Sequence, residues 1–165
     1  MGSGKSTVGP LLADLLGFGF LDLDVAIERR TGRSVPDLFA ERGEPAFREL
    51  ERDAAFEASG LDRHVVAAGG GAFAHAETRT ALQKDAVVVW LKVDLETALR
   101  RIPPDGSRPL AGNREIMREL LVQRELAYAL ADLTVEASDG TPATVARRVQ
   151  EGLRDRDWRG GRSDT

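Results

Sequence analysis

Seven residues at the head of the chain constrain its fold more than any other stretch. Met1-Gly2-Ser3-Gly4-Lys5-Ser6-Thr7 carries the closing half of G-x-x-x-x-G-K-[ST], the signature of a loop that cradles phosphate. The residue types follow from that task. Gly2 and Gly4 let backbone N–H groups converge on phosphate oxygens with no Cβ in the way. Lys5 reaches the outer phosphates, and the Ser6 hydroxyl is placed to meet Mg²⁺. The helix that follows aims its partly positive N-terminus at the anion. The first glycine of the signature would fall two residues ahead of Met1, and the strand that feeds such a loop ahead of that. The expectation is therefore an in-frame upstream extension of roughly ten residues: an apolar strand, then Gly and one more residue.

Downstream, apolar residues at helical spacing (Val8, Leu11, Leu12, Leu15, Leu16) run to Gly17, a suitable residue beyond a helix end. Phe18 to Leu21 reads as a short strand ending at Asp22-Leu23-Asp24. Val25 to Thr31 reads as a helix stopped by Gly32. Ser34 caps a turn of helix through Phe39 and Ala40. Gly43 breaks the chain, and Glu44 to Ala58 is a long amphipathic helix. Val65 to Ala68 is a second strand that runs into Gly69-Gly70-Gly71, read as a loop. Ala76 to Lys84 is helix, Ala86 to Leu91 a third strand, and Asp94 the cap of a helix to about Ile102. The prolines of 103–113 interrupt it. Arg114 to Ala131 is a long helix, Leu133 to Val135 a fourth strand, and Pro142 opens a last helix. Alternating strands and helices predict a single α/β domain over 1–156, a three-layer sandwich with a parallel sheet between helices. A tail at 157–165 is expected to be disordered.

Composition excludes little. Hydrophobic residues make up 42% and charged residues 30%, as in an ordinary globular domain. The net charge of −4 argues against a nucleic-acid partner. With no cysteine there is neither a disulfide nor a thiolate nucleophile. No apolar run reaches membrane-spanning length, so no membrane partner is expected and the default is a cytoplasmic protein; a monomer acting without nucleic acid is the accompanying expectation.

Ligands in such folds sit at the carboxyl ends of the strands, where Asp22, Asp24 and the triple glycine fall. Alternation along a strand end would point both aspartates toward the site. Arg48 and Glu51 lie three apart and share a helix face; the pair is either an ordinary surface ion pair or an arginine aimed at an anion. Gly69, Gly70 and Gly71 allow close backbone approach to a ligand, although they do not form G-x-G-x-x-G. Arg108, in a loop with prolines and a glycine, could stabilise a transferring phosphoryl group. His64 and His75 lack partners at metal-ligand spacing, and Trp90 is most simply core.

Together these residues resemble shikimate kinase along nearly the whole chain. Gly-Ser-Gly-Lys-Ser-Thr, Phe20-Leu21-Asp22-Leu23-Asp24, Gly43-Glu44-x-x-Phe47-Arg48-x-x-Glu51, Val66 to Ala72, Arg108-Pro109-Leu110 and Arg124 with Tyr128 occur in the family's order and spacing. The resemblance implies a P-loop NTPase-like fold and ATP-dependent phosphorylation of the 3-hydroxyl of shikimate. It implies that ATP is held by Gly2, Ser3, Gly4, Lys5, Ser6, Thr7 and Arg108, with adenine between Arg101 and Pro142. Mg²⁺ would be held by Ser6 and, through water, by Asp22. Lys5 and Arg108 would stabilise the transferring group, with Asp24 binding shikimate and taking its proton. Arg48 and Arg124 would clamp the shikimate carboxylate, with Glu51 behind Arg48. Phe39, Phe47 and Gly69 to Gly71 would line the pocket, and 103–113 would form a lid. Gly140 stands where some members have an arginine near adenine. Two other readings share the phosphate loop. One is a kinase for another small hydroxy acid such as gluconate. The other is a nucleotide-binding protein impaired by loss of the first strand.

Overall fold

A computed structural model describes residues 2–102 and 114–155. The expected lid at 103–113, with Arg108, and the tail at 157–165 lie outside the described residues. The elements run α1 (Lys5–Leu16), β1 (Gly19–Asp22), α2 (Leu23–Thr31), α3 (Val35–Ser59), β2 (His64–Ala67), α4 (Gly70–Ala74), α5 (Ala76–Asp85), β3 (Val89–Lys92), α6 (Leu95–Arg101), α7 (Arg114–Tyr128), β4 (Leu133–Glu136) and α8 (Pro142–Asp155).

The sequence signals act where they were read. Gly17 and Gly32 end α1 and α2 by donating back to carbonyls of the last turn. The Ser34 hydroxyl caps α3 by accepting from the Asp37 N–H. Gly43, at φ 76° and ψ 172°, kinks α3 and separates the segment bearing Phe39 from the one bearing Phe47 and Arg48. Three expectations need correction. Gly70 and Gly71 open a short helix rather than lie in a loop. β3 starts at Val89, not Ala86; the Val88 N–H is instead taken by the Asp132 carboxylate. α7 ends at Tyr128, three residues earlier than the apolar pattern implied.

The strands form two parallel pairs, β1 with β2 and β3 with β4. Two cores flank them. One gathers Leu23, Ile27, Leu38, Phe47 and Ala55 of α2 and α3, with Leu21, Val66 and Val88 packed against it. The other gathers Val8 and Leu12 of α1 with Val145 and Val149 of α8, against Val65, Val89 and Leu91. The second core touches both pairs, and the first touches β1, β2 and Val88 just ahead of β3, so the pairs lie in one layer between helices.

Parallel strands covered on both faces are normally deeply buried. Here every residue of β1 and β3 is only half-buried, and among the described residues no strand pairs β2 with β3. The loop at the head of the chain meets β1 and the helix that follows β3: Ser6 donates to Asp22 at the end of β1, and Gly2 lies against the backbone of Ala98 in α6.

Candidate functional site

Parallel register brings the chemistry to one edge. Asp22 pairs in register with Ala67, so the start of α2 lies beside the turn that begins at Gly69. Lys92 pairs with Glu136, so Asp94 lies beside Ser138, whose hydroxyl accepts from the Asp94 N–H at 3.0 Å.

On the phosphate side, Gly4 adopts φ 91°, a left-handed conformation that side chains disfavour, and its carbonyl accepts from the Thr7 and Val8 N–H groups that start α1. Lys5 approaches the Ser3 hydroxyl at 3.5 Å. The Ser6 hydroxyl donates to Asp22 Oδ2 at 2.6 Å, while Asp22 Oδ1 accepts from the Asp24 N–H at 3.0 Å. Asp22 is thus the cap of α2, and Asp24 lies in its first turn. The expected strand alternation of the two aspartates does not hold, because the strand has already ended. Asp24 reaches the site by helix geometry instead: its Oδ1 lies 3.6 Å from where a Cβ on Gly69 would stand.

On the opposite side, three glycines meet three side-chain groups. A Cβ on Gly69 would collide with the Glu51 carboxylate, one on Gly70 with the Tyr128 hydroxyl, and one on Gly71 with the Arg48 guanidinium. Arg124 Nη1 stands 3.2 Å from where that Cβ on Gly70 would lie. Glu51 is 2% exposed, and its Oε2 accepts from Arg48 Nη1 at 2.7 Å. Arg48 lies over the rings of Phe39 and Phe47, at 5.9 and 5.6 Å from their centroids. Burial pulls the Arg48 pKa down, but Glu51 and Glu44 more than offset it and leave the pKa raised. Arg48 is therefore a permanent cation.

Several features went unread in the sequence. Glu44 accepts from Arg48 Nε at 3.1 Å and Nη2 at 2.8 Å; the spacing, four residues ahead of an arginine on a helix, was a readable signal. The Tyr128 hydroxyl donates to the Gly70 carbonyl at 3.0 Å. Burial pushes the Tyr128 pKa up, against the opposing effect of Arg124, which hydrogen-bonds to it. Trp90, expected as core, is half-buried and packs on Tyr128 at 5.8 Å between centroids. Arg101 Nη2 donates to the Ser138 carbonyl at 3.2 Å, just ahead of Pro142 at the start of α8. Among the described residues no cluster of three or more His, Cys, Asp and Glu could hold a metal; His64 and His75 stand outside the site.

A family model described as shikimate kinase matches residues 1–154. The chain is 46% identical to the shikimate kinase of Caulobacter vibrioides over 149 residues, 88% of this chain and 74% of that protein. It is 44% identical to that of Moorella thermoacetica over 156 residues, 93% and 90% of the two chains. The chain belongs to the shikimate kinase family. Among solved structures of that family, shikimate kinase from Acinetobacter baumannii in complex with shikimate superposes with a TM-score of 0.91, at 36% identity over 94% of this chain and 89% of that one. Shikimate kinase from Aquifex aeolicus gives 0.85 at 31% identity over 98% and 95%. The fold is thus the P-loop NTPase-like α/β sandwich of these kinases.

The Asp94–Ser138 junction sits at the carboxyl ends of β3 and β4 in this family member. Hydrogen bonds from the Thr97 N–H, then from Ser138 and the Thr97 hydroxyl, hold the Asp94 pKa down at about 2. A depressed carboxylate stabilises the folded state above its unfolded pKa and loses that contribution as pH falls through the folded value. The difference in Tm between wild type and Asp94→Asn should therefore be constant above about pH 5 and shrink progressively as pH falls through the unfolded value of 3.8 toward the folded value of about 2. A difference that did not change over that window would mean the charge on Asp94 does not act.

Proposed function

We propose that the chain transfers the γ-phosphoryl group of ATP to the 3-hydroxyl of shikimate, a step toward aromatic amino acids. The observation that carries the reading is the convergence of Arg48 and Arg124 on the glycine turn at Gly70 and Gly71, beside Asp24. Two fixed guanidinium groups beside a small, side-chain-free surface suit a carboxylate on a compact polyol ring. Phe39 and Phe47, 4.7 Å apart, offer the ring an apolar wall. Gluconate carries a carboxylate too, but as an open chain it has no ring for the Phe39–Phe47 wall to face.

On the nucleotide side, the amides of 2–7 and the N-terminus of α1 would bind the phosphates, and Arg101 and Pro142 would flank the adenine. The Ser6 hydroxyl is a hard oxygen donor of the kind Mg²⁺ takes, and the Asp22 carboxylate, 2.6 Å from it, would hold the ion through a water, with further water and phosphate filling its shell. When bound there, Mg²⁺ would neutralise charge on the phosphates. In the transfer step the 3-oxygen of shikimate bonds to the γ-phosphorus, the bond to the ADP oxygen breaks, and Asp24 takes the hydroxyl proton. Lys5 and Arg108 stabilise the charge that spreads over the transferring group. Arg48 and Arg124 fix the ring so that its hydroxyl lies in line. A cytoplasmic monomer acting on small molecules fits this role, and no helix of the described residues is long and apolar enough to cross a membrane.

Turnover of ATP with and without shikimate, on wild type and variants, tests the reading. Arg48→Ala should weaken shikimate binding by about 2–5 kcal/mol while leaving ATP binding intact. Lys5→Ala should lower kcat by far more than it raises either KM. ATP turnover independent of shikimate, or faster with gluconate, would overturn the assignment.

A further inference from the structure

The bidentate edge of Arg48, the Nε–Nη2 side that matches a carboxylate, is already taken. Glu44 Oε1 accepts from Nε at 3.1 Å and from Nη2 at 2.8 Å, while Nη1 is held by Glu51 at 2.7 Å. The two carboxylates are not equivalent. Glu51 is 2% exposed, faces Gly69 and Gly71, and cannot leave without stranding a buried charge. Glu44 is half-exposed and sits one residue after the kink at Gly43. Its departure into water strands nothing. The charges enforce an exchange: with Glu44 and Glu51 both in place, the arginine already faces two negative groups. A third carboxylate would meet net repulsion that Arg124, across Gly70, only balances.

We infer that Glu44 is a specificity-determining residue that occupies the carboxylate seat on Arg48 and is displaced by the incoming substrate. This deepens the reading of the site given above and rests on Arg48 as the carboxylate anchor. In the free protein Glu44 holds the guanidinium in the orientation a carboxylate needs, so the substrate meets a preorganised fork rather than a flexible side chain. The same contact sets a threshold. A neutral hydroxylated ring, unable to compete for the fork, leaves Glu44 seated and gains nothing from Arg48.

Because the seat is half-exposed, Glu44 competes weakly; exposed ion pairs are worth at most about 1 kcal/mol, so freeing Arg48 should tighten carboxylate binding roughly two- to fivefold. Glu44→Gln keeps the size of the side chain and removes its charge, and Glu44→Ala removes the contact. Calorimetric titration with shikimate and with its uncharged methyl ester reads the effect without turnover. The expected result is a lower Kd for shikimate in both variants, no change for the ester, and an unchanged Kd for ATP. Shikimate binding that is unchanged or weaker in Glu44→Gln would overturn the inference and make Glu44 a simple support for Arg48. Equal gains for shikimate and its ester would also overturn it, since the competition is for a charge. A wild type that binds ATP but no shikimate would overturn the assigned substrate and this inference with it, whereas a wild type that binds shikimate with variants that match it would sink this inference alone.

Discussion

The buried carboxylate of Glu51 governs the half of the molecule around Arg48 and the triple glycine. An ionised group at 2% exposure is tolerable only beside a fixed cation. Arg48 supplies it from one turn earlier on the same helix, at a distance of 2.7 Å. The pair in turn dictates what can face it. Gly69 and Gly71 are glycines because Glu51 and Arg48 occupy the space their side chains would need. α3 must therefore pack tightly on α4, and Phe39 and Phe47 complete the enclosure beneath the guanidinium. Removing Glu51 would strip Arg48 Nη1 of its buried partner, leave Glu44 alone to hold the guanidinium, and leave the glycine turn facing a hole.

The half around the Gly4–Thr7 loop is organised by strand register rather than by burial. Parallel pairing stops β1 at Asp22 beside Ala67 and β3 at Lys92 beside Glu136. The residues just beyond those ends belong to helix starts, and helix starts bring caps, hydroxyls and exposed N–H groups. Ser6 on Asp22, Asp94 on Thr97 and Asp94 on Ser138 are all of this kind. Backbone geometry thus gathers oxygen donors and positive dipole ends along one edge, where an anion with a hard cation would settle.

What the sequence made legible was mostly local. Helix stops at Gly17 and Gly32, the Ser34 cap and the Gly43 break need only neighbouring residues, and they hold. So does the Arg48–Glu51 pair, because three residues on one helix face is a local relation. The errors arose where tertiary packing overrules local pattern. Asp22 and Asp24 looked like alternating strand residues, yet α2 begins between them, since the Asp22 side chain caps it. The triple glycine looked like a loop because glycine is a poor helix former; packing against Arg48, Glu51 and Tyr128 holds Gly70 and Gly71 in a short helix anyway. Nothing near Tyr128 in sequence points to the Gly70 carbonyl 58 residues away. The role given to Arg108 falls in the segment 103–113, beyond the described residues.

The two cores divide the labour of the site along a line that the chain crosses repeatedly. The cluster around Leu38 and Ala55 backs Arg48 and Glu51, and the cluster around Val8 and Val149 backs the phosphate loop and Pro142. Local opening in a folded protein follows such clusters, with each cooperative unit loosening at its own free energy. Sequence drift in one core can thus soften or stiffen the grip on one reactant while the other half keeps its shape. A lineage adapting to heat or cold could retune its holds on nucleotide and acid separately, by apolar exchanges that never touch a ligand-facing residue.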